Sequence, residues 1–239
     1  MSETNQETQA PMKRNRYEII DIYRGVAVLL MIIFHFTYDL ALFKYVPLTF
    51  KKHQDPFWWF LPRIIVFLFM VSMGMSMHLV HFPTIKWKVF SKRVGKLAFF
   101  AIIISVSTYY MFPKRWIYFG TLHSIAVCSF LVLPLLRLKY FNLIFGLGLF
   151  VHVIVTGKSV PWWILPHPAM DYIPPFPWIG AAALGVFMVK MDWHKWQVPN
   201  HILLRGIQYL GKHSLVIYLV HQPLLYGSVF LFYKLMSST

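Results

Sequence analysis

Three polar residues interrupt the first long apolar stretch of this chain, and their types and spacing suit acid/base chemistry. Arg24, His35 and Asp39 lie within residues 16–43. On a helix, the eleven residues from Arg24 to His35 make three turns, which places both on one face about 16 Å apart along the axis. His35 and Asp39 lie one turn apart, within reach of each other. We therefore predict a catalytic face in which His35 acts as general base and Asp39 orients its imidazole.

A second histidine and carboxylate lie in the loop after this stretch. His53 and Asp55 precede the next apolar segment, close to the mouth of the first two predicted helices. His35 and His53 are therefore alternative bases, and Asp39 and Asp55 are alternative orienting groups. Acyl transfer from a thioester needs such a base, a donor for the developing oxyanion, and cations where the thioester carrier is anionic. The candidates for carrier binding are Asp21, Arg24, Arg93 and Lys96.

A polar stripe is predicted in the last apolar stretch. Ser214, Tyr218 and His221 recur there at helical spacing, and His123 opens an earlier stretch. Such groups either hydrogen-bond between helices or contact substrate, and the sequence leaves both roles open for His123 and His221. We treat Asp55, His123, Tyr218 and His221 as candidate pocket residues.

Several classes of function lack support. The sequence contains no P-loop, no GxGxxG, no HExxH and no zinc-like spacing of Cys and His, so we expect neither nucleotide hydrolysis nor a metal cofactor. The net charge of +15 is concentrated in short loops, where it favours contact with anionic lipid headgroups over binding of nucleic acid.

The composition is that of an integral membrane protein. Of 239 residues, 58% are hydrophobic and 18% aromatic, and the mean hydropathy is +0.56. The sequence predicts an all-α integral membrane protein, a bundle of about seven transmembrane helices of roughly 20 residues each. The predicted spans are 18–43, 57–80, 93–112, 116–136, 139–157, 172–190 and 212–234. A tight connection at 113–115 is expected to join the third and fourth spans as a hairpin.

The distribution of Lys and Arg predicts the orientation. With the N-terminus inside, fifteen of these residues face the cytoplasm and seven face outward. We therefore expect a multi-pass protein of the cell membrane with a cytoplasmic N-terminus and an external C-terminus. Residues 1–15 are predicted to be a disordered cytoplasmic tail, and residues 16–239 a single transmembrane acyltransferase-like domain.

Five sequence segments together carry a resemblance to a known family. They are DIYRGVAVLLMIIFH, FLFMVSMGMSM, GTLHSIAV, PPFPWIGAAALG and LGKHSLVIYLVHQPLLYG. The chain resembles the heparan-alpha-glucosaminide N-acetyltransferase catalytic-domain family over nearly its whole length from Arg16 onward. The resemblance implies a multi-helix transmembrane fold that uses cytosolic acetyl-CoA as co-substrate to acetylate a sugar amine on the opposite side of the membrane.

The resemblance also bears on which histidine is the base. In the lysosomal member, the catalytic histidine lies on a non-cytoplasmic loop before a span that ends in a Met-Gly pair. Met73 and Gly74 close a similar segment here, which implies that His53 has that role, and the position of His35 looks like an asparagine in that member. The wider acyltransferase-3 family has an arginine, ten residues and a histidine in its first helix, and Arg24 with His35 matches that spacing.

The leading hypothesis is a membrane acetyl- or acyltransferase. It would move an acyl group from cytosolic acyl-CoA to an amine or hydroxyl of an extracytoplasmic saccharide or envelope acceptor. A non-catalytic transporter or lipid-binding membrane protein is the second hypothesis, and a haem-binding electron-transfer protein with paired histidine ligands is the third. The sequence leaves the oligomeric state open, with a homo-oligomer among the candidate assemblies.

Overall fold

The computed structural model describes residues 17–237, which form eight α-helices and two short 3-10 helices. The α-helices are α1 (Glu18–Leu42), α2 (Pro56–His81), α3 (Trp87–Met111), α4 (Thr121–Leu131), α5 (Tyr140–Thr156), α6 (Pro175–Lys190), α7 (Ile202–Lys212) and α8 (Ser214–Ser237). The 3-10 helices are Pro134–Arg137 and Trp193–Lys195. The predicted all-α class is confirmed for this part of the chain, whereas the predicted tail at 1–15 lies outside the described residues.

Within residues 17–237, three helices are long and apolar enough to cross a membrane, namely α1, α2 and α8. The other apolar helices α4, α5 and α6 have 10–17 residues, fewer than the roughly 20 that a bilayer helix needs. The predicted count of seven spans is therefore not confirmed. At 11 residues, α4 departs furthest from its predicted span, because Gly120 precedes it and a 3-10 helix that begins at Pro134 follows it.

Two further predictions about the third helix are wrong. α3 begins at Trp87 rather than at residue 93, since the helix continues through a lysine- and arginine-rich turn that hydropathy alone excludes. Its connection to α4 runs from 112 to 120 and is not a tight turn at 113–115. The two helices are nevertheless antiparallel neighbours, because Phe90 contacts Phe130 and Ser105 contacts His123.

The short helix α7 was not predicted from the sequence. It crosses α1 at glycines, because a Cβ on Gly25 would overlap the carbonyl oxygen of Ile207 and a Cβ on Gly211 would overlap that of Asp21. Polar residues such as Arg205 lower the mean hydropathy of α7, so a search for transmembrane segments does not detect this helix. Its apolar residues recur at helical spacing, and that signal could have found it.

α2 and α6 pack together at the centre of the bundle, with α1 against α2 and α5 against α6. A Cβ on Gly74 would overlap the carbonyl oxygen of Ala182, and a Cβ on Gly185 would overlap that of Val71. Only residues without a side chain at these points allow the two backbones to meet.

The proline-rich segment 157–174 packs against the α3–α4 connection. Tyr172 forms an isolated bridge with Phe119, and the N–H groups of Ile173 and Met170 donate to the carbonyls of Phe119 and Arg115 at 3.0 and 2.9 Å. The prolines prevent a continuous helix here. The segment therefore lies over the start of α4 and brings its polar residues to that point.

Candidate functional site

A cavity of about 390 Å³ lies where α1, α2, α3, α4, α7 and α8 meet. Three of the four residues predicted to bind an anionic carrier line it together: Arg24, Arg93 and Lys96. The fourth, Asp21, is buried in α1 behind Gly211 and does not line the cavity. The structure therefore brings Arg24 of α1 to the same cavity as Arg93 and Lys96 of α3, although the two helices are far apart in the sequence.

The cavity has one strongly basic end. The guanidinium of Arg24 donates to the hydroxyl of Ser76 at 2.7 Å, and Arg93 lies near enough to Arg24 for the two charges to interact. Lys96 and Lys212 are exposed, so the cavity opens to solvent between them. Lys212 was missed by sequence reasoning because it ends the unpredicted helix α7. Four cations around one opening suit phosphate groups.

Neutral polar groups also line the cavity. Ser214, Tyr218 and Thr121 line the cavity, so two residues of the predicted polar stripe of α8 lie at its surface. The side chain of Tyr218 faces Thr121 and lies within electrostatic reach of Asp171. A hydroxyl in this position can donate a hydrogen bond to an oxygen within the cavity.

Asp171, from the segment 157–174, is a residue that sequence reasoning missed. Its carboxylate accepts the backbone N–H of Thr121 at 3.0 Å and the hydroxyl of Thr121 at 3.1 Å, and so caps α4. Burial raises the pKa of Asp171, against these two hydrogen bonds, which lower it. The prolines around Asp171 gave no periodic signal by which to place it.

A pair of histidines from α1 and α8 lies next to Tyr218. The rings of His35 and His221 meet edge to face, with their centroids 4.8 Å apart, and the His221 ring lies 5.8 Å from that of Tyr218. The Nδ1 atoms of His35 and His221 lie 2.9 and 2.8 Å from the carbonyl oxygens of Met31 and Tyr218. A carbonyl can only accept, so each Nδ1 carries the proton and each neutral ring keeps a lone pair on Nε2.

This arrangement suits a general base, because Nε2 is the free proton acceptor of each ring. The Nε2 atom of His221 is buried and has no hydrogen-bond partner among residues 17–237. The contact between the two rings leaves no space for a haem between His35 and His221, so this pair does not fit the electron-transfer hypothesis.

The predicted contact between His35 and Asp39 is wrong. Asp39 is fully buried and accepts the side-chain amide of Gln222 at 3.1 Å, which ties α1 to α8. The carbonyl of Met31, one turn before His35, takes the orienting role that we predicted for Asp39. A helical separation of four residues permits a side-chain contact but does not enforce one.

His53 lies exposed in the loop between α1 and α2 and does not line the cavity. The carboxylate of Asp55 accepts the N–H and hydroxyl of Thr49 at 2.6 and 2.7 Å and the N–H of Phe50 at 3.2 Å. These hydrogen bonds hold the pKa of Asp55 below its usual range. Asp55 therefore organises the loop that carries His53.

The depressed pKa of Asp55 predicts how this loop responds to acid. A carboxylate with a lowered pKa contributes stability above its unfolded pKa, and that contribution is lost as the pH falls through the folded pKa. We expect the amides of residues 49 and 50 to exchange faster with deuterium, relative to their intrinsic rates, as the pH falls through that range. In Asp55→Asn the fast exchange should already be present at neutral pH.

Asp192→Asn provides the control, since Asp192 lies in another loop and pairs with Lys195 at 2.9 Å. Exchange at residues 49 and 50 should match the wild type in this variant. Equal protection in Asp55→Asn and wild type at neutral pH would contradict the organising role.

His123 joins α3 to α4 and does not line the cavity. Its Nδ1 accepts the N–H of Gly120 at 3.2 Å, its Nε2 lies 3.2 Å from the hydroxyl of Ser105, and that hydroxyl donates to the carbonyl of Ile117 at 2.7 Å. Of the two roles that the sequence left open for His123, the geometry favours hydrogen bonding between helices.

Comparison with known proteins gives one family. The profile described as heparan-alpha-glucosaminide N-acetyltransferase, catalytic, matches residues 16–223. Searches among curated proteins and among solved structures gave no match. Because the matched region covers most of the 239 residues, the chain belongs to the heparan-alpha-glucosaminide N-acetyltransferase catalytic family.

Proposed function

We propose that this chain is a membrane-embedded acetyl- or acyltransferase that takes its acyl group from acyl-CoA bound in the cavity beside Arg24. The acceptor is an amine or hydroxyl of an extracytoplasmic saccharide or envelope molecule. The observation that carries the proposal is the single cavity in which Arg24, Arg93 and Lys96 converge, with the His35–His221 pair beyond its inner wall. Family membership supports a transferase.

The basic opening suits the phosphates of CoA. Guanidinium groups bind phosphate oxygens through charge-assisted hydrogen bonds, while exposed lysines add point charges. Arg93 and Lys96 lie one turn apart on α3, and Lys212 approaches from α7. The rest of the lining is largely apolar, with Phe69 and Leu97 among its residues, and suits the uncharged arm that carries the thioester.

The inner wall supplies the groups that acyl transfer requires. The acceptor attacks the thioester carbonyl, the C–S bond breaks, and a C–N or C–O bond forms. A histidine Nε2 takes the proton that the acceptor loses and returns it to the departing thiolate, which leaves as the thiol of CoA. The ring of Tyr218 lies 5.8 Å from that of His221, and its hydroxyl can stabilise negative charge on the carbonyl oxygen.

The base is His35 or His53. His35 adjoins the inner wall through His221, and its Nε2 is free to accept a proton. His53 has the support of the family resemblance and lies on the loop that the acceptor would approach from outside. The distribution of Lys and Arg sets the orientation of this proposal. The N-terminus and the basic opening face the cytoplasm, and the C-terminus and the α1–α2 loop face outward.

Neutralising the basic opening tests donor binding. We expect Arg93→Ala to raise the KM for acetyl-CoA about 10- to 100-fold with a smaller change in kcat, because a lost charge-assisted hydrogen bond weakens binding of donor and transition state alike. The measurement is CoA release by the reconstituted protein against acetyl-CoA concentration.

The matched control is Lys88→Ala, which removes an exposed cation of α3 that does not line the cavity. Its KM should stay within about twofold of the wild type, since isolated surface charges contribute little. If Arg93→Ala and Lys88→Ala have the same KM for acetyl-CoA, the proposal that this cavity binds the acyl donor is wrong.

A further inference from the structure

A second cavity, of about 420 Å³, lies at the end of the bundle where α2 ends and α3 begins. It borders the 3-10 helix Pro134–Arg137 and shares no lining residue with the first cavity. Two of its lining residues, His81 and Arg137, are polar, and the other seven are apolar. The proposed acyl transfer makes no use of this cavity.

His81 is a buried polar residue among those that line this cavity. Its side chain is only 1% exposed, and its Nδ1 accepts the backbone N–H of Lys86 at 3.3 Å. Because Nδ1 accepts, the proton of the neutral ring is on Nε2. That Nε2 is buried and finds no hydrogen-bond partner among residues 17–237. Buried donors rarely stay unsatisfied, so a ligand that supplies an acceptor would complete this group.

The electrostatic surroundings define the ligand as an anion. Arg93 and Lys86 both act on His81 with positive charge. Arg137 also lines the cavity, and its carbonyl accepts the ammonium of Lys190 at 3.0 Å. No carboxylate is among the lining residues of this cavity. A guanidinium and an imidazole N–H suit the oxygens of a phosphate group.

The apolar residues indicate that the anion belongs to an amphiphile. Phe82 and Trp87 line the cavity and are 43% and 59% exposed, as expected for aromatic side chains at a membrane interface. Ile85 and Leu133 complete an apolar wall next to the two polar donors. A free phosphate ion would leave this wall in contact with water, whereas a lipid would cover it.

We propose that this cavity binds an anionic phospholipid. The Nε2–H of His81 and the guanidinium of Arg137 donate to its phosphate oxygens, and the apolar wall of Ile85 and Leu133 contacts its glycerol and acyl groups. The ligand chemistry is a phosphate-bearing anion, and a membrane lipid is its expected source.

The test compares variants of the full chain in nanodiscs of phosphatidylcholine that contain a minor fraction of phosphatidylglycerol. Native mass spectrometry then counts the phosphatidylglycerol molecules that stay bound to the protein after the protein is released from the nanodiscs. Arg137→Ala should weaken retention by about tenfold or more, the loss expected for a charge-assisted hydrogen bond. Ile85→Trp should reduce retention by filling the cavity while the charges stay. Lys88→Ala removes a nearby exposed cation outside the cavity and should retain the lipid as the wild type does.

A second experiment distinguishes a membrane lipid from a free phosphate compound as the source of the anion. Inorganic phosphate is added to the protein in uncharged detergent. If inorganic phosphate raises the thermal midpoint of the wild type and of Lys88→Ala, but not that of Arg137→Ala, the site binds phosphate and a free phosphate compound is its ligand. Selective lipid retention without an effect of free phosphate would support the lipid. Equal retention in all variants, or an equal loss in Lys88→Ala and Arg137→Ala, would overturn the proposal.

Discussion

Replacement of both His35 and His53 by alanine is expected to reduce acetyl-CoA-dependent acyl transfer by about 10²–10⁴-fold, the contribution of a general base. Both candidate bases are then absent, so neither can take the proton that the acceptor loses. The measurement is CoA release together with acylated product in reconstituted membranes. KM for acetyl-CoA should change little, because neither histidine lines the cavity that holds the cations.

The single variants decide between the two histidines. The base must be deprotonated to act, so kcat/KM of the wild type should rise with pH to a plateau. The variant that lacks the base should lose this rise, whereas the other should keep it. His152→Ala is the control, since His152 is exposed on α5 and lines neither cavity. Undiminished CoA release by the double variant would exclude histidine catalysis by either residue.

Substitution of the glycines between α2 and α6 is expected to destabilise the helix bundle. In Gly74→Ala and Gly185→Ala, the new methyl group overlaps a backbone carbonyl of the facing helix, and a carbonyl cannot move without its helix. Overpacking of this kind costs about 1–3 kcal/mol. For a chain of this size, the thermal midpoint in detergent should fall by about 2–4 °C for each kcal/mol.

Gly148→Ala is the matched control. A Cβ at Gly148, which is also within a helix, meets nothing within 4 Å, so the methyl group is accommodated. Alanine is the better helix former by about 1 kcal/mol, so this variant should equal or exceed the stability of the wild type. If Gly74→Ala and Gly148→Ala have the same midpoint, the close approach of α2 and α6 does not contribute to stability.

Local rules predicted some of the residues that line the cavity, such as Arg93 and Tyr218, but not the partners of their side chains. The helical spacing of Ser214 and Tyr218 placed both on the wall of one cavity, as expected from a period of 3.6 residues. The same rule placed Asp39 beside His35, yet the carboxylate accepts from Gln222. Helical spacing gives the face of a side chain, whereas a neighbouring helix decides which of several reachable groups it meets.

The sequence by itself determined the all-helical class, the apolar segments and the cations available for an anionic ligand, because hydropathy, periodicity and charge are properties of a short stretch of chain. Only the tertiary structure decided that Arg24, Arg93 and Lys96 surround one opening, that Lys212 joins them, and that His35 meets His221. These contacts join residues far apart in the chain. They depend on helix crossings at glycines such as Gly25, which no local pattern specifies.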